Sequence, residues 1–493
     1  MLTEDSDSQR IWPVLTAIIA GSFLTILNIS SINVAIPALM EHFQTELSLI
    51  QWTITGFMLA MGITAPLAGY AGERFSTKNV FIASLAGFTL CSLLCATAST
   101  PLLLIVYRIF QGAFTGLVGP TAMTIVYQVI PRKRQAIGIS LWSLAAMLGP
   151  AIGPTMSGWI LQHLEWTWLF WINVPIGIVA IALSALWIPR GKTAAGRSFD
   201  AAGLGTVLIG SLSLLVAFSE ANSWGWLSAK TLSLLAVGAV LIALFIVRER
   251  RAASPLLNVG VFRYRRYTLT LVIATIITVS LYSGTLLTSL FLQNVEHRSP
   301  LQTGLILLPA SLAMALAMPV VGKLYEKFGP FWLICIGVTM ISAGTLALGW
   351  LSVDISPVYI ACWMTVRNIG FSLTMMPSSN AGMQSIPKEL AGHGSSMSNW
   401  IRNVAGSFSV AFFTGLLATR SGAHLGALTG GVASAADSAK QLAAETMGIN
   451  DVFLIAALVG LVGLPVAFFL RSRSPGTAGG APTVRAGSHA RNA

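Results

Sequence analysis

Two arginines lie inside long apolar runs, where an uncompensated charge is energetically costly. Arg108 is followed three residues later by Gln111, and Arg367 is followed directly by Asn368. A guanidinium in such surroundings has to face the protein interior or a wet cavity, where it can gate a path or take part in proton movement. The alternative is a conformational tether to backbone carbonyls or to Gln111. A third arginine, Arg402, comes nearer the end of its run and is expected to snorkel or to anchor a loop.

Polar residues elsewhere in the apolar runs could line a cavity together with the first two arginines. Because this set contains two cations and no acid, it would suit neutral or anionic amphiphiles, whereas lipophilic dications would lack a counter-charge. The alternative for each residue is a hydrogen bond between helices without contact to any ligand. The candidate cavity residues are Asn28, Asn33, Gln51, Trp52, Arg108, Gln111, Arg367, Asn368 and Asn399.

Titratable groups suited to carrying protons are missing from the centres of the apolar runs. The 17 acidic residues lie in tails, in loops or at the ends of runs, and the six histidines lie in loops or in the tail. Proton movement through a membrane generally uses a carboxylate or an imidazole within it. The four cysteines fall in apolar runs and form no CxxC or Cys/His pattern, so neither a metal site nor another cofactor is predicted.

The composition indicates which kind of element must position these residues. Hydrophobic residues make up 55% of the 493-residue chain and charged residues 9%, against roughly 25% charged residues in a soluble domain. The apolar runs, about 18–25 residues long, suit helices that cross a bilayer core ~30 Å thick, and the short alternating strands of a membrane barrel are absent. The chain is therefore predicted to be an all-α integral membrane protein. Its net charge of +12 sits in clusters between the runs, which argues against nucleic-acid binding.

Fourteen apolar runs are predicted to span the membrane, and an even number places both termini on one side. The runs are 12–38, 50–71, 79–99, 102–129, 136–160, 168–188, 201–219, 231–247, 267–293, 301–321, 331–351, 358–380, 395–418 and 452–470. Lys and Arg concentrate in the loops on the side of the termini. The opposite loops hold Lys230, Arg298, Arg420 and Lys440. The positive-inside rule therefore predicts cytoplasmic N- and C-termini and a location in the cytoplasmic membrane.

A motif that occurs after the second and tenth spans divides the chain into two halves. Both copies read Gly-x-x-x-Glu-(Arg/Lys)-Phe at a helix end, where glycine permits close helix contact and the acid and base can lock neighbouring helices. With Lys78, the copies contribute Gly69, Glu73, Arg74, Gly322, Glu326 and Lys327. The repeat predicts six-helix halves at 1–198 and 263–473, a two-helix insert at 199–262 and a disordered tail at 474–493. Such repeats are typical of secondary transporters that alternate access to a central site.

At these motifs the chain resembles the major facilitator superfamily, and most closely its fourteen-span drug:proton antiporter group. Further matching pieces follow in order along most of the chain, among them Arg108-x-x-Gln111-Gly and Gly149-Pro150-Ala-Ile-Gly153-Pro154. The resemblance implies a multi-pass exporter of drugs or other small amphiphiles, with protons as the counter-ion. One chain supplies both halves, so a monomer surrounded by membrane lipids would suffice.

The Gly-Pro motif in the fifth span has its own physical consequences. Glycine and proline inside a membrane helix should bend or loosen it and allow another helix to pack tightly. A bent or loosened helix of this kind could seal one face of the protein while the other face opens. The alternative is a packing kink with no part in the direction of transport.

The chain departs from the family pattern where coupling to protons is expected. The family usually carries an aspartate in span one where this chain has Asn28. Separately, in the first copy of the repeated motif, the family usually has an aspartate where this chain has Glu73 and a glycine where it has Ser76. Three explanations stay open: a span-end acid reaches inward, the substrate's own charge drives coupling, or the protein is an uncoupled facilitator or lipid translocator. The span-end acids are Glu73, Glu165, Glu220, Glu296 and Glu326.

Other functions on the same sequence are less favoured. A dedicated exporter of one metabolite, siderophore or lipid would share the fold and differ only in the breadth of its substrates. The sequence offers no P-loop, no His/Asp cluster and no paired acids within the apolar runs, so an enzyme and an ATP-driven pump are not predicted. A channel fits less well, because a repeat within one chain suits a single central site.

Overall fold

The computed structural model describes residues 2–45, 47–50, 52–191, 200–252, 255, 257–429 and 438–471. Within these ranges the chain is helical and contains no β-strand, as the composition predicts. The predicted tail at 474–493 and the candidate residue Gln51 lie outside the described residues.

The first half of the chain folds into helices α1 to α9. They are α1 (Leu2–Phe43), α2 (Leu47–Ile50), α3 (Trp52–Thr64), α4 (Leu67–Phe75), α5 (Thr77–Ala96), α6 (Pro101–Val129), α7 (Arg132–His163), α8 (Trp168–Trp171) and α9 (Asn173–Trp187). Helix α6 begins where Thr100 accepts a hydrogen bond from the Leu103 amide, which satisfies a backbone N–H at the helix start. Helices α3 and α4 meet at a bend of 57°, beside Pro66, which cannot donate a backbone hydrogen bond.

The insert and the second half supply helices α10 to α17. They are α10 (Ala201–Trp224), α11 (Ala229–Arg251), α12 (Arg265–Leu290), α13 (Pro300–Ala347), α14 (Pro357–Gln384), α15 (Ala391–Thr429), α16 (Ser438–Leu461) and α17 (Gly463–Phe468). Helix α12 continues into a π-helical turn at Phe291–Val295. Helix α13 begins with a capping box in which Ser299 and Gln302 exchange hydrogen bonds, the arrangement that satisfies two amides at a helix start.

The fourteen predicted spans each correspond to a helix or helix pair of the described chain. Helix α13 contains the tenth and eleventh spans. The two spans are separated at Gly329, which adopts a φ of 71° and interrupts the helical backbone. By length and hydropathy, ten helices of the described chain can cross a membrane, or eleven with the bent α3–α4 pair. Fourteen crossings therefore remain a prediction, while a multi-pass helical membrane protein is established.

Helices α15 and α16 extend beyond the spans predicted at 395–418 and 452–470. Helix α15 continues to Thr429 and α16 begins at Ser438, so the described residues between these two spans are helical. Alanine-rich sequence favours helix even where polar residues lower the hydropathy. The predicted last span began at residue 452 because a hydropathy pattern does not register the polar turns that precede it.

The two halves pack against each other through equivalent pairs of helices. The basic end of the bundle is the end that carries residues 69–78, 129–134, 248–266 and 322–330. The glycine of each repeated motif lies there, Gly69 against α15 and Gly322 against α7. The second span of each half thus contacts the fifth span of the other half. This symmetry is what the duplicated motif predicts.

The insert packs on both halves, and its two helices are joined at the basic end. Trp400 of α15 donates a 2.9 Å hydrogen bond to Ser211 of α10, and α10 also packs on α3 of the first half. Asp200 caps α10 by accepting from the Gly203 amide at 2.8 Å and binds Arg248 of α11 at 2.7 Å. The hydrogen bonds from Arg248 hold the pKa of the Asp200 carboxyl below its usual range.

Candidate functional site

Arg108 lies at the centre of a buried polar network inside the first half. Its Nη1 donates to Asn28 Oδ1 and to Gln111 Oε1, both at 2.6 Å, and its Nε donates to the Thr53 carbonyl at 3.1 Å. The guanidinium also lies 4.1 Å from the ring centroid of Phe57. Arg108 is only 1% exposed. Amide oxygens and an aromatic face therefore stabilise this buried charge in place of a carboxylate.

The network continues across the first half to two further helices. Gln111 Nε2 donates to Ser92 Oγ at 2.8 Å, and Asn173 Nδ2 donates to the same oxygen at 3.0 Å. Five helices, α1, α3, α5, α6 and α9, are thereby joined by side chains that are almost fully buried. Sequence reasoning found Arg108, Gln111 and Asn28 but did not identify Ser92 as their meeting point, because a lone serine in an apolar run gives no signal.

Arg367 occupies the corresponding place in the second half but has different partners. Its Nε donates to Thr345 Oγ1 at 3.2 Å, and its Nη2 donates to the carbonyls of Ser280 and Leu281. Arg367 is 1% exposed. It therefore joins α14 to α12 and α13 mainly through backbone carbonyls, which matches the tether alternative for this residue.

Most of the other predicted cavity residues do not line a cavity in this conformation. Asn28, Gln111 and Asn368 are buried within the halves, and Trp52 is 41% exposed on the surface. Asn33 lies in α1, and its side chain is outside the described part of the structure. Asn399 is the exception, because it lines the cavity between the halves. Asn28 and Gln111 thus join helices within the first half, whereas the Asn368 Oδ1 atom is buried without a hydrogen-bond partner in the described structure.

A small cavity between the two halves, called the central cavity here, has a volume of about 20 Å³, enough for a water molecule or two. Its lining comes from α6 in the first half and from α12, α14 and α15 in the second. The lining residues are Met123, Tyr127, Tyr267, Thr270, Leu271, Ala274, Ser378, Ser379, Gly382, Met383, Ser395, Ser398, Asn399 and Arg402.

Arg402 requires a correction, since it was expected to snorkel or to anchor a loop. The residue lies eleven positions after the start of α15, about 16 Å along the helix axis at 1.5 Å per residue. Its Nη2 donates to Asn399 Oδ1 at 3.0 Å, and the side chain lines the central cavity. Helix α15 begins earlier than the predicted span, so Arg402 lies deeper in the bundle than the sequence indicated.

The halves meet at the basic end through close contacts at Gly69 and Gly322. These contacts are called the basic-end gate. A Cβ on Gly69 would lie 3.1 Å from His393 and 3.3 Å from the backbone of Gly392. A Cβ on Gly322 would lie 2.5 Å from Ser140 Oγ. Hydrogen bonds also cross near this end, from Ser395 to the Pro120 carbonyl at 2.9 Å and from Tyr127 to the Ser379 carbonyl at 3.3 Å. The structure is closed at its basic end.

An imidazole and a carboxylate face each other across this gate. His393 Nε2 lies 2.8 Å from Glu73 Oε1, with the histidine 1% exposed and the glutamate 22% exposed. The prediction that all histidines lie in loops or in the tail is wrong for His393, which belongs to α15 and is buried. It is also wrong for His42, His163 and His424, which lie near the ends of α1, α7 and α15. The sequence concealed His393 because residues 391–394 precede the hydrophobic run.

The other residues of the repeated motif behave differently in the two copies. Arg74 donates to the Tyr70 hydroxyl at 3.0 Å, and Lys78 donates to the Ala185 carbonyl at 2.6 Å. Glu326 and Lys327 are exposed, and within the described chain neither forms an ion pair across helices. The expected lock of acid and base is therefore absent from the second copy. In the first copy the acid faces a histidine of the other half.

One backbone feature is shared by both copies of the motif. Ser76 has a φ of 72°, and Gly329, at the equivalent place seven residues after the motif glycine, has a φ of 71°. This left-handed region favours glycine. The serine that departs from the family pattern therefore adopts the conformation of the usual glycine.

The Gly-Pro motif of α7 packs against the first helix. A Cβ on Gly149 would lie 2.7 Å from Ile26 Cγ2 and 3.2 Å from the Leu27 amide nitrogen, so the predicted tight packing is present. Helix α7 nevertheless runs without interruption from Arg132 to His163, and Gly153 within it is buried. The side chains of Pro150 and Pro154 lie outside the described part of the structure.

The gate contact at Gly322 leads to a testable expectation. Gly322→Val would place methyl groups where Ser140 now lies, so the basic end could no longer close. We expect the export rate per folded molecule to fall about tenfold or more, since a shift of 1.4 kcal/mol already changes an equilibrium tenfold. The matched control is Gly304→Val on the same helix, where no atom lies within 4 Å of an added Cβ. Equal export rates for the two variants would contradict this account of the gate.

Comparison with known proteins gives a consistent result. The sequence model of the Major Facilitator Superfamily matches residues 18–410. The chain is 33% identical to the uncharacterized MFS-type transporter YhcA of Bacillus subtilis, over 95% of this chain and 94% of that protein. It is 31% identical to the multidrug resistance protein B homolog of Mycobacterium tuberculosis, over 81% of this chain and 75% of that protein.

A solved structure supports the same architecture. The human organic anion transporter MFSD10 superposes with a TM-score of 0.65 at 14% identity, over 92% of this chain and 99% of that one. Identity at this level bears on the fold alone. The two-half helical arrangement described above is therefore shared with a transporter of known structure.

Proposed function

The chain belongs to the major facilitator superfamily, and on that premise we propose that it exports drugs or other small amphiphiles by alternating access. The observation that carries the proposal is a cavity between two halves that is closed at one end by reciprocal glycine contacts. Opening of this gate would expose the central cavity to the basic end, and its closure would commit a bound molecule to the opposite end. A similar protein named for multidrug resistance makes drugs a reasonable substrate class.

The distribution of charge gives the proposed orientation. We place the basic end and both termini in the cytoplasm, and the protein in the cytoplasmic membrane, because Lys and Arg cluster in the loops at that end. The structure then represents a state closed to the cytoplasm. Both halves come from one chain, so we propose that a monomer surrounded by lipid carries out transport.

Protons are the proposed counter-ion, and the contact between Glu73 and His393 across the gate is the proposed coupling element. Imidazole is the side chain whose charge ordinarily changes between about pH 5 and 8. A protonated His393 would form an ion pair with Glu73 across the halves, whereas the neutral ring leaves only a hydrogen bond. Glu73 also lines a cavity of about 800 Å³ at the basic end, which gives protons a route to the pair. Other charged residues of that cavity are Lys78, Arg190, Lys388 and Glu389.

Replacement of His393 is expected to separate substrate transport from proton movement. His393→Gln retains a side chain that can donate to Glu73 but cannot bind a proton near neutral pH. We expect substrate efflux in proteoliposomes to persist while substrate-driven proton movement, read by an internal pH dye, falls about tenfold or more. His163→Gln is the matched control, because His163 is exposed at the opposite end of the bundle. Unchanged proton movement in His393→Gln would exclude this pair as the coupling element.

An uncoupled facilitator, or a dedicated translocator of one metabolite or lipid, is the second candidate. It is favoured by Asn28, whose amide takes the place of the usual carboxylate beside Arg108. Efflux by the unmodified protein without any proton movement would select this candidate. Absence of efflux for every cationic, neutral and anionic amphiphile tested would reject both candidates.

A further inference from the structure

Among the described residues, the central cavity is lined by one charged side chain, Arg402, and that charge has no acidic partner. Among the lining residues Arg402 is the sole ionisable cation and no carboxylate is present. In the described chain, its hydrogen bond runs from Nη2 to the neutral Asn399 oxygen. A guanidinium carries five N–H donors, so Nε and Nη1 retain donors for another group. We infer that Arg402 is the anion-binding group of the transport site, and that the substrates are anionic amphiphiles.

The position of Arg402 is suited to a ligand and differs from those of the other two buried arginines. Arg108 donates to three acceptors within the first half, and Arg367 donates to the Thr345 hydroxyl and to two backbone carbonyls within the second. Arg402 instead lies where the halves meet. The cavity lining beside it includes Tyr127 of the first half. Separation of the halves would therefore expose Arg402 while leaving the other two arginines inside their bundles.

The remainder of the cavity lining matches an amphiphile with a polar head. The hydroxyl of Ser378 lines the cavity, is buried and has no hydrogen-bond partner in the described structure. Leu271, Met123 and Met383 add an apolar wall, which suits the body of an amphiphile, since methionine adapts to varied shapes. The anionic head would receive charge-assisted hydrogen bonds from Arg402.

This inference rests on the proposed export function, and its test uses a matched pair of dyes. Anilinonaphthalene sulfonate and phenylnaphthylamine share an aromatic body, but only the former carries a negative charge. With the full-length protein in proteoliposomes of neutral lipid, we expect Arg402→Gln to lower sulfonate efflux about tenfold or more, the effect of losing a charge-assisted hydrogen bond. Efflux of the neutral amine should change less than about twofold. Arg402→Lys, which keeps the positive charge, should retain more sulfonate efflux than Arg402→Gln.

The controls separate failure of this inference from failure of the proposed function. Arg420 lies on the same helix as Arg402, and its side chain is 50% exposed. The Arg420→Gln variant should therefore transport both dyes normally. An equal loss of both dyes in Arg402→Gln, or no loss of either, would overturn the inference while leaving export itself intact. If wild-type protein moves neither dye nor any other amphiphile, the proposed function fails first.

A lipid phosphate could supply the same anionic chemistry as a soluble substrate. The assay is therefore repeated in vesicles that contain phosphatidylglycerol. Sulfonate efflux that is unchanged by this lipid supports a soluble anionic substrate. Efflux that falls with increasing phosphatidylglycerol in the wild type and in Arg402→Lys, but not in Arg402→Gln, would overturn that assignment in favour of a lipid headgroup.

Discussion

Arg108→Met is expected to remove most export activity and to lower the yield of folded protein. Without the guanidinium, Asn28 Oδ1, Gln111 Oε1 and the Thr53 carbonyl lose their donor in a region that water does not reach. Each buried acceptor left unsatisfied costs about 1–3 kcal/mol. The loss should extend to the helices that Ser92 joins to the network, since Gln111 would no longer be held in place. Thermal unfolding in detergent and efflux per folded molecule measure the two effects.

Two companion variants sharpen this expectation. Arg250→Met removes an exposed arginine at the basic end and should leave unfolding and efflux unchanged. Asn28→Asp should fold, because a carboxylate oxygen can accept the same 2.6 Å hydrogen bond from Arg108. A wild-type unfolding temperature for Arg108→Met would mean that the network does not hold the first half together.

Gly112→Ala is expected to destabilise the first half by direct backbone collision. The added Cβ would lie 2.2 Å from the Phe57 carbonyl oxygen, and an added Cβ on Gly116 would lie 2.3 Å from the Met61 carbonyl oxygen. These two glycines form a GxxxG pair that brings α6 against α3, as small residues do between membrane helices. Backbone atoms cannot rotate away, so we expect a loss of about 1–3 kcal/mol for either change and little folded protein for the double variant.

Gly158→Ala provides the comparison for this helix packing. No atom lies within 4 Å of an added Cβ at Gly158 in α7, and alanine favours helix over glycine by about 1 kcal/mol. We expect its unfolding temperature in detergent to equal or exceed that of the wild type. If Gly112→Ala and Gly158→Ala unfold at the same temperature, the close approach of α6 and α3 does not contribute to stability.

The helical membrane fold and its duplication were available from the sequence. Apolar runs long enough to cross a bilayer define helices without knowledge of their neighbours, because a backbone in lipid must satisfy its own hydrogen bonds. The motif at Gly69 and its copy at Gly322 predicted two related halves, and the structure places both glycines at equivalent contacts. Arg108 and Arg367 were recognisable because a charge within an apolar run is rare. These features depend on single segments or on comparison of two segments.

Partnerships between distant segments were decided by the tertiary structure. His393 lies 320 positions after Glu73 in the sequence, and only the packing of α15 against α4 brings them to 2.8 Å. Arg402 was assigned to a helix end because hydropathy does not register the polar first turns of α15, yet it lines the cavity between the halves. Hydropathy reports the environment of one helix at a time. Contacts across a bundle depend on how helices rotate and approach, which small residues and single hydrogen bonds determine only after the chain has folded.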